Sequence, residues 1–369
     1  MRDLNKFQGC LIGGAIGDAL GYAVEFMSAN NIFNEYGPNG ITDYHLQNGI
    51  AQISDDTQMT LFTATGLLIG TTRGRLKGVG ASPEVYIAYS YKDWYRTQTE
   101  TFPLKEGFRY SWLSSLPQMF HRRAPGLTCL SAIRQGCNGT PENPINNSKG
   151  CGGIMRVAPI GLYYADRKIT QDSVDLIAAR TAALTHGHEL GYIPAAMFVH
   201  ILQRITTNAE PIDIAISNAL STIPQLFPHS QHISELIDLI NKAIDLSQNP
   251  QISDLAAITQ LGEGWVAEET LAIAIYCVLK YPTDFQRAII ASVNHNGDSD
   301  STGSVAGNII GASLGLSSIP PHLLSPLELK DTILEVAEDL YNDCPLSDYD
   351  TPSTPATTRW AQKYVHMFH

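Results

Sequence analysis

The sequence predicts an all-α protein, and three observations carry that expectation. Apolar residues recur at spacings of three and four along most of the chain, while the two-residue alternation of half-buried strands is scarce. Two segments place glycine at every fourth position, Gly9, Gly13, Gly17 and Gly21 near the start and Gly303, Gly307, Gly311 and Gly315 late in the chain. In a helix each set forms one stripe along one face. An interior helical Gly costs about 1 kcal/mol relative to Ala, so two such stripes call for a tertiary reason, and close backbone contact between two central helices supplies it. Finally, two clusters that combine hydroxyls with paired acids, Ser54-Asp55-Asp56 and Asp298-Ser299-Asp300-Ser301, each open a helical segment.

The 369 residues suffice for one large domain or two intimately packed ones, and charged residues at 16% are few, so much of the chain is buried. A net charge of −12 argues against broad electrostatic binding to nucleic acid or an anionic membrane. No apolar run reaches the roughly 18 residues of a membrane span. Asp18 and Glu25 interrupt the apolar segment near the N-terminus, which therefore does not read as a signal peptide. The six cysteines, Cys10, Cys129, Cys137, Cys151, Cys277 and Cys344, contain no C-x-x-C pair, and a reduced, cytoplasmic location is expected.

Residues 7–27 read as the first helix, with Asp18 and Glu25 two turns apart on one face; Asp18 is expected to satisfy neighbouring backbone groups, and Glu25 to lie at an exposed site. A polar loop follows over 30–49. Ser54 then caps a helix whose first turn holds Asp55 and Asp56, where negative charge is favoured. Residues 83–97 form a further helix with an aromatic face. From 98 to 147 the chain is rich in Pro, Gly, Asn and Arg, with one short helix near 128–135, which suits a loop-rich rim or lid. Arg109, Arg122 and Arg123 there are either phosphate ligands or solvated loop charges. Gly150-Cys151-Gly152-Gly153 allows a turn whose N–H groups converge on an anion, with Arg156 close behind, or a plain tight turn before a packed helix. Helices are expected over about 171–185, 189–206, 210–222, 231–247, 266–280, 283–293 and 326–342. His186 and His188 sit at a helix junction, and Trp265 precedes a helix as an aromatic face for a base or sugar, or as a half-buried helix start.

One cap and one first-turn acid explain a single carboxylate in each cluster without any metal. Two matching oxygen-only clusters suit hard cations such as Mg²⁺ or Mn²⁺ rather than zinc. The ordered motifs G-D-A-L-G and V-E-F (17–21, 24–26), S-D-D-T (54–57), G-C-G-G-I-M-R (150–156), T-H (185–186) and G-D-S-D-S-T-G (297–303) resemble those of the ADP-ribosylglycohydrolase family over about residues 5–320. The resemblance implies a compact single-domain orthogonal helical bundle over 1–369 with a central binuclear metal site. It implies metal ligation by Ser54, Asp55, Asp56, Asp298, Asp300 and Ser301, where the family usually has Thr in place of Ser301. Glu25, Asp55 and Asp300 are the expected proton-transfer groups, and Gly150, Cys151, Gly152, Gly153 and His186 the implied substrate contacts, to which Trp265 is added by its aromatic face alone. An aspartate that nitrogenase-linked members carry near 125–128 has no counterpart here.

The activity implied is hydrolysis, with two Mg²⁺ (or Mn²⁺), of the bond between ADP-ribose and a modified side chain, foremost arginine. The expected partner is therefore an ADP-ribosylated protein or ADP-ribose itself. Family relatives also include non-catalytic structural or ADP-ribose-binding proteins and immunity proteins that counteract a cognate ADP-ribosyltransferase. The retention of both acid clusters favours the enzyme.

Overall fold

The computed structural model describes residues 2–78, 80–105, 107–165, 167–346 and 354–365. The remaining positions of the expected 1–369 domain lie outside the described residues. The helices run α1 (Leu4–Tyr22), α2 (Ala29–Tyr36), α3 (Asp55–Lys77), α4 (Pro83–Thr99), α5 (Leu127–Arg134), α6 (Ala158–Tyr163), α7 (Gln171–Ala183), α8 (Glu189–Thr207) and α9 (Ile212–Leu226). They continue as α10 (Ile233–Ser247), α11 (Asp254–Ile258), α12 (Ala267–Lys280), α13 (Phe285–Val293), α14 (Ser299–Leu314), α15 (Pro321–Leu324), α16 (Lys330–Asn342) and α17 (Pro355–Tyr364). Among the described residues no strand forms, and only isolated bridges such as Gly150 with Val266 occur. Among the described residues no helix is long and apolar enough to cross a membrane.

The two glycine stripes meet. α1 and α14 run antiparallel, and a Cβ added at Gly9, Gly13 or Gly17 would lie 2.3, 2.3 or 1.9 Å from the carbonyl oxygen of Gly311, Gly307 or Gly303. One turn further, Gly21 faces Ser299 in the same way, at 2.2 Å. No side chain fits between these backbones, so the glycines give up helix propensity for proximity. Asn308 reaches across the seam to donate from Nδ2 to the Cys10 carbonyl at 2.8 Å, in the space that Gly14 leaves open. Both helices are buried around nearly their whole circumference, which is why neither has a marked polar face. The rest of this single compact domain is built outward from them: α3 packs against α4, α7 and α9 against α8, and α10 against α12.

Several boundaries differ from expectation. α1 ends at Tyr22 rather than near 27, because the chain turns through Val24 N–H to Gly21 O and Met27 N–H to Val24 O until Ser28 caps α2. Asp18 and Glu25 therefore do not share a helix face. α2 occupies part of the expected polar loop, with Ile32 buried and the Ala29 N–H held by Asn296 Oδ1 at 2.8 Å. α16 starts at Lys330 rather than 326, since the preceding residues pair with Ala51 instead, through Ala51 N–H to Pro326 O and Glu328 N–H to Ala51 O. Residues 98–147 hold two short 3₁₀ turns (Trp112–Ser115 and Pro117–Phe120) besides α5.

Candidate active site

α3 begins where a carboxylate from α1 holds it. Asp18, fully buried, accepts from Ser54 N–H (2.9 and 3.1 Å) and from Thr57 N–H (3.0 Å), satisfying donors that the helix start leaves free. The Ser54 hydroxyl accepts the Asp56 N–H at 3.2 Å as the N-cap. This aims Asp55 and Asp56 toward the N-terminus of α14, where Asp298 is itself an N-cap, accepting the Ser301 N–H at 3.2 Å. α1 thus serves both clusters, Asp18 fixing one and the glycine seam fixing the other.

The two clusters line one cavity of about 750 Å³. Glu25, Asp55, Asp56, Asp298, Asp300 and Ser301 all face it, as do Gly150, Cys151, Gly152, His186 and Trp265. Of the implied ligands and substrate contacts, Ser54 and Gly153 do not line it. Ser54 is spent on its cap, and Gly153 backs the wall, where a Cβ would lie 2.7 Å from the Gly191 carbonyl oxygen. Oxygens of Glu25, Asp298 and Asp300 lie within 4.8 Å of one another, a set that can hold a metal ion. Glu25 Oε2 and Asp56 Oδ2 are buried with no hydrogen-bond partner, as expected of ligands that answer to a cation. Among the described residues none of these acids forms an ion pair, and the nearby Arg123 is committed to Glu328 and the Ile53 carbonyl. The donor set fits a hard divalent cation.

With no cation bound, burial pushes Asp18 up to about 6, and burial followed by the charges of Asp298 and Asp55 pushes Glu25 up to about 9. Asp55, Asp56 and Asp300 are raised as well, each by burial first and then by neighbouring carboxylates. A carboxyl raised in the folded state stabilises folding below its unfolded value, and that contribution is lost as pH rises through the folded value. The melting temperature of the protein in EDTA is therefore expected to fall from about pH 4 to about pH 9, the Asp18 part ending near 6 and the Glu25 part near 9. Saturating Mg²⁺ or Mn²⁺ should flatten the slope. A flat profile in EDTA would mean that the acids are already compensated.

The glycine turn at 150–153 is used differently from expectation. Gly150 donates its N–H to Ser148 Oγ at 3.3 Å, and Cys151 donates its N–H to the Trp265 carbonyl at 3.1 Å, so two of the four donors are occupied within the protein. A Cβ at Gly152 would meet Cys129 Sγ at 2.8 Å and His186 Cε1 at 3.0 Å, so this glycine permits close packing against His186. Cys151 donates its thiol to Asp298 Oδ2 at 2.8 Å. Arg156 is fully buried, stacked over Tyr91 at 4.5 Å and donating to Thr185 Oγ1 at 2.6 Å, and is not available to an anion in the cavity. His186 bonds Thr185 Oγ1 at 2.8 Å, and burial together with the Arg156 charge lowers it to about 3, leaving it neutral. His188 does not face the cavity; its Nδ1 accepts the Leu190 N–H at 3.0 Å.

Sequence reasoning singled out Trp265 but missed Phe26 and Leu127, which complete an apolar mouth with it. Phe26 (75% exposed) stacks on Trp265 (39% exposed) with centroids 6.0 Å apart, and Leu127 is 79% exposed on the rim contributed by 122–129. Large apolar side chains left in solvent around one opening mark a binding surface. The only signal for Phe26 was its place beside Glu25.

Fold and cavity define the class, a helical domain with no strand among the described residues and an acid-lined cavity at the N-termini of α3 and α14. The family model described as ADP-ribosylglycohydrolase matches residues 1–349, and the chain belongs to this family of hydrolases. Among its relatives is the ADP-ribosylhydrolase ARH3 of Mus musculus, 26% identical over 348 residues, 86% of each chain. The ADP-ribosyl-[dinitrogen reductase] glycohydrolase of Rhodospirillum rubrum is 25% identical over 329 residues, 87% of this chain and 90% of that protein. A solved structure described as an ADP-ribosylglycohydrolase-related protein complex aligns with a TM-score of 0.61 at 22% identity, covering 92% of this chain and 98% of that one, and shares the fold.

Proposed function

We propose that the protein is a cytoplasmic hydrolase that uses two divalent cations, Mg²⁺ or Mn²⁺, to cleave ADP-ribose from a modified protein side chain, foremost arginine. The observation that supports this most is the meeting of Asp55 and Asp56 with Asp298, Asp300 and Glu25 in one cavity, with buried carboxylate oxygens left unpartnered. Asp55, Asp56, Asp298 and Asp300, with the hydroxyl of Ser301, are the proposed ligands, while Ser54, occupied as the N-cap of α3, positions Asp55 and Asp56. Bound there, the cations supply Lewis acidity, orienting the ribose hydroxyls and lowering the pKa of a water.

The protein's own groups do the rest. Glu25, whose Oε2 has no hydrogen-bond partner and which faces the cavity with Asp55, Asp298 and Asp300, accepts the proton from the attacking water, with Asp55 and Asp300 assisting, and the proton passes to the departing side-chain nitrogen as the C–N bond breaks. Gly150, Cys151 and Gly152 let the sugar approach the wall closely, and neutral His186 offers a hydrogen bond without adding charge. Trp265, with Phe26 behind it, covers an apolar face of the ligand at the mouth. A cationic guanidinium leaving group suits an acid-lined cavity, which favours arginine as acceptor.

Incubating the purified protein with arginine-, serine- and DNA-linked ADP-ribose, in Mg²⁺ or in EDTA, tests this. Release from the arginine conjugate in Mg²⁺ and none in EDTA is the expected result. Release that is indifferent to EDTA would remove the cations from the mechanism, and release from another conjugate alone would reassign the acceptor.

A further inference from the structure

A second cavity, of about 590 Å³, shares no residue with the acid cavity. It lies between the first turns of α4, the segment 136–140 that follows α5, and the end of α7. Backbone contacts fix its wall: Gly136 N–H donates to the Ile133 carbonyl and Cys137 N–H to the Ala132 carbonyl, each at 3.0 Å, and a Cβ at Gly139 would stand 2.3 Å from the Ala183 carbonyl oxygen. Glu84 lines this cavity with 7% of its surface exposed, and neither oxygen of its carboxylate has a hydrogen-bond partner. Withdrawing a carboxylate from water without a partner is costly, so such a group calls for something that answers it.

Three more charged side chains line the same cavity: Lys92, half-buried, and Glu142 and Arg180, exposed at the rim. Among the described residues none of the three has a salt bridge or a side-chain hydrogen bond. Lys92 lies over the Tyr89 ring at 5.4 Å, and that ring is held by stacking on Tyr110 at 4.5 Å. Two acids and two bases therefore face one space without neutralising one another, and an inorganic ion of either sign would answer only half of them. We propose that this cavity is a second ligand site, one for a basic amino acid, whose ammonium and side-chain cation are held by Glu84 and Glu142 and whose carboxylate is held by Lys92 and Arg180. Charge-assisted hydrogen bonds supply the affinity, and the guanidinium of Arg180 matches a carboxylate in shape. Tyr89 and Leu184 offer the aliphatic chain an apolar wall, and the volume is that of a small-molecule site. The acid cavity and its cations play no part in this site.

Calorimetric titration of the full chain in Mg²⁺ with L-arginine, L-lysine and L-ornithine tests it, with agmatine as a probe that keeps the cationic groups and lacks the carboxylate. At least one of the three amino acids is expected to bind, and Glu84→Gln to weaken it about tenfold or more. Glutamine keeps the shape and removes a buried charge that nothing in the protein answers, so the melting temperature should not fall. Arg180→Ala, at the exposed rim, should weaken the amino acid about tenfold and leave agmatine unchanged. Asp300→Ala should bind the amino acid as the wild type does, which separates this site from the acid cavity. The proposal is overturned if none of the three amino acids binds at about 10 mM. It is equally overturned if either Glu84→Gln or Arg180→Ala binds as the wild type does, or if Asp300→Ala loses the binding. Agmatine bound as tightly as the amino acids would overturn it too, since the two bases would then hold nothing.

Discussion

Asp300→Ala is expected to reduce turnover by about 10³-fold or more while leaving the fold intact. A cation bound at such a centre stabilises transition-state charge by several kcal/mol, and each 1.36 kcal/mol is a factor of about ten in rate. Asp300 shares the site with Glu25 and Asp298, and among the described residues its one hydrogen bond from backbone is from its neighbour Ser301 at 2.9 Å, so its removal leaves no distant backbone donor there unsatisfied. In the cation-free protein the carboxyl is buried and repelled by Asp56, Glu25 and Asp298. The variant in EDTA should therefore melt at the same temperature as the wild type or higher, and should gain little from Mg²⁺. Steady-state rates and melting curves with and without Mg²⁺ decide the matter. Activity within tenfold of wild type would take Asp300 out of the centre, and unfolding in EDTA would give it a structural role.

Gly307→Ala should produce the largest loss of stability. The substitution favours an isolated helix by about 1 kcal/mol. In the protein the new Cβ would stand 2.0 Å from the Gly13 carbonyl oxygen and 2.5 Å from its carbon, so backbone rather than a side chain has to move. The net cost is expected at or above the upper end of the roughly 1–3 kcal/mol typical of overpacking. Forcing α1 and α14 apart also separates Asp18, and the Asp55–Asp56 turn that it holds, from Asp298 and Asp300, so Mg²⁺ affinity should fall together with the melting temperature. A variant as stable as the wild type with unchanged affinity would mean that the seam tolerates separation.

These features were legible in the sequence because they contradict local preference. Glycine in a helix interior and adjacent like charges at a helix start both cost free energy, so each repetition points to something outside the segment. That Asp18 serves backbone groups also followed from an acid on an apolar helix. What stayed hidden depends on partners far along the chain. Nothing near Tyr22 says that the helix stops there, since Ser28 and Asn296 decide where the chain turns. Nothing near Arg123 says that Glu328 neutralises it, or near Cys151 that Trp265 takes its N–H. Arg109, Arg122 and Arg123 looked alike as loop charges. One of them donates to the Leu104 carbonyl, one is buried in an ion pair, and one faces the cavity.

The glycine seam also bears on how the protein is born. A ribosome releases α1 and the Asp55–Asp56 turn early, yet the partner of α1 is α14, which ends at Leu314. Until that residue has emerged, the glycine face of α1 has no surface to close against and the second half of the acid centre does not exist. The early helices therefore wait with apolar faces uncovered, a condition that favours slow closure and chaperone attendance. Under the proposed metal reading, a cation can add stability only once the segment around Asp298 and Asp300 has been made, late in synthesis.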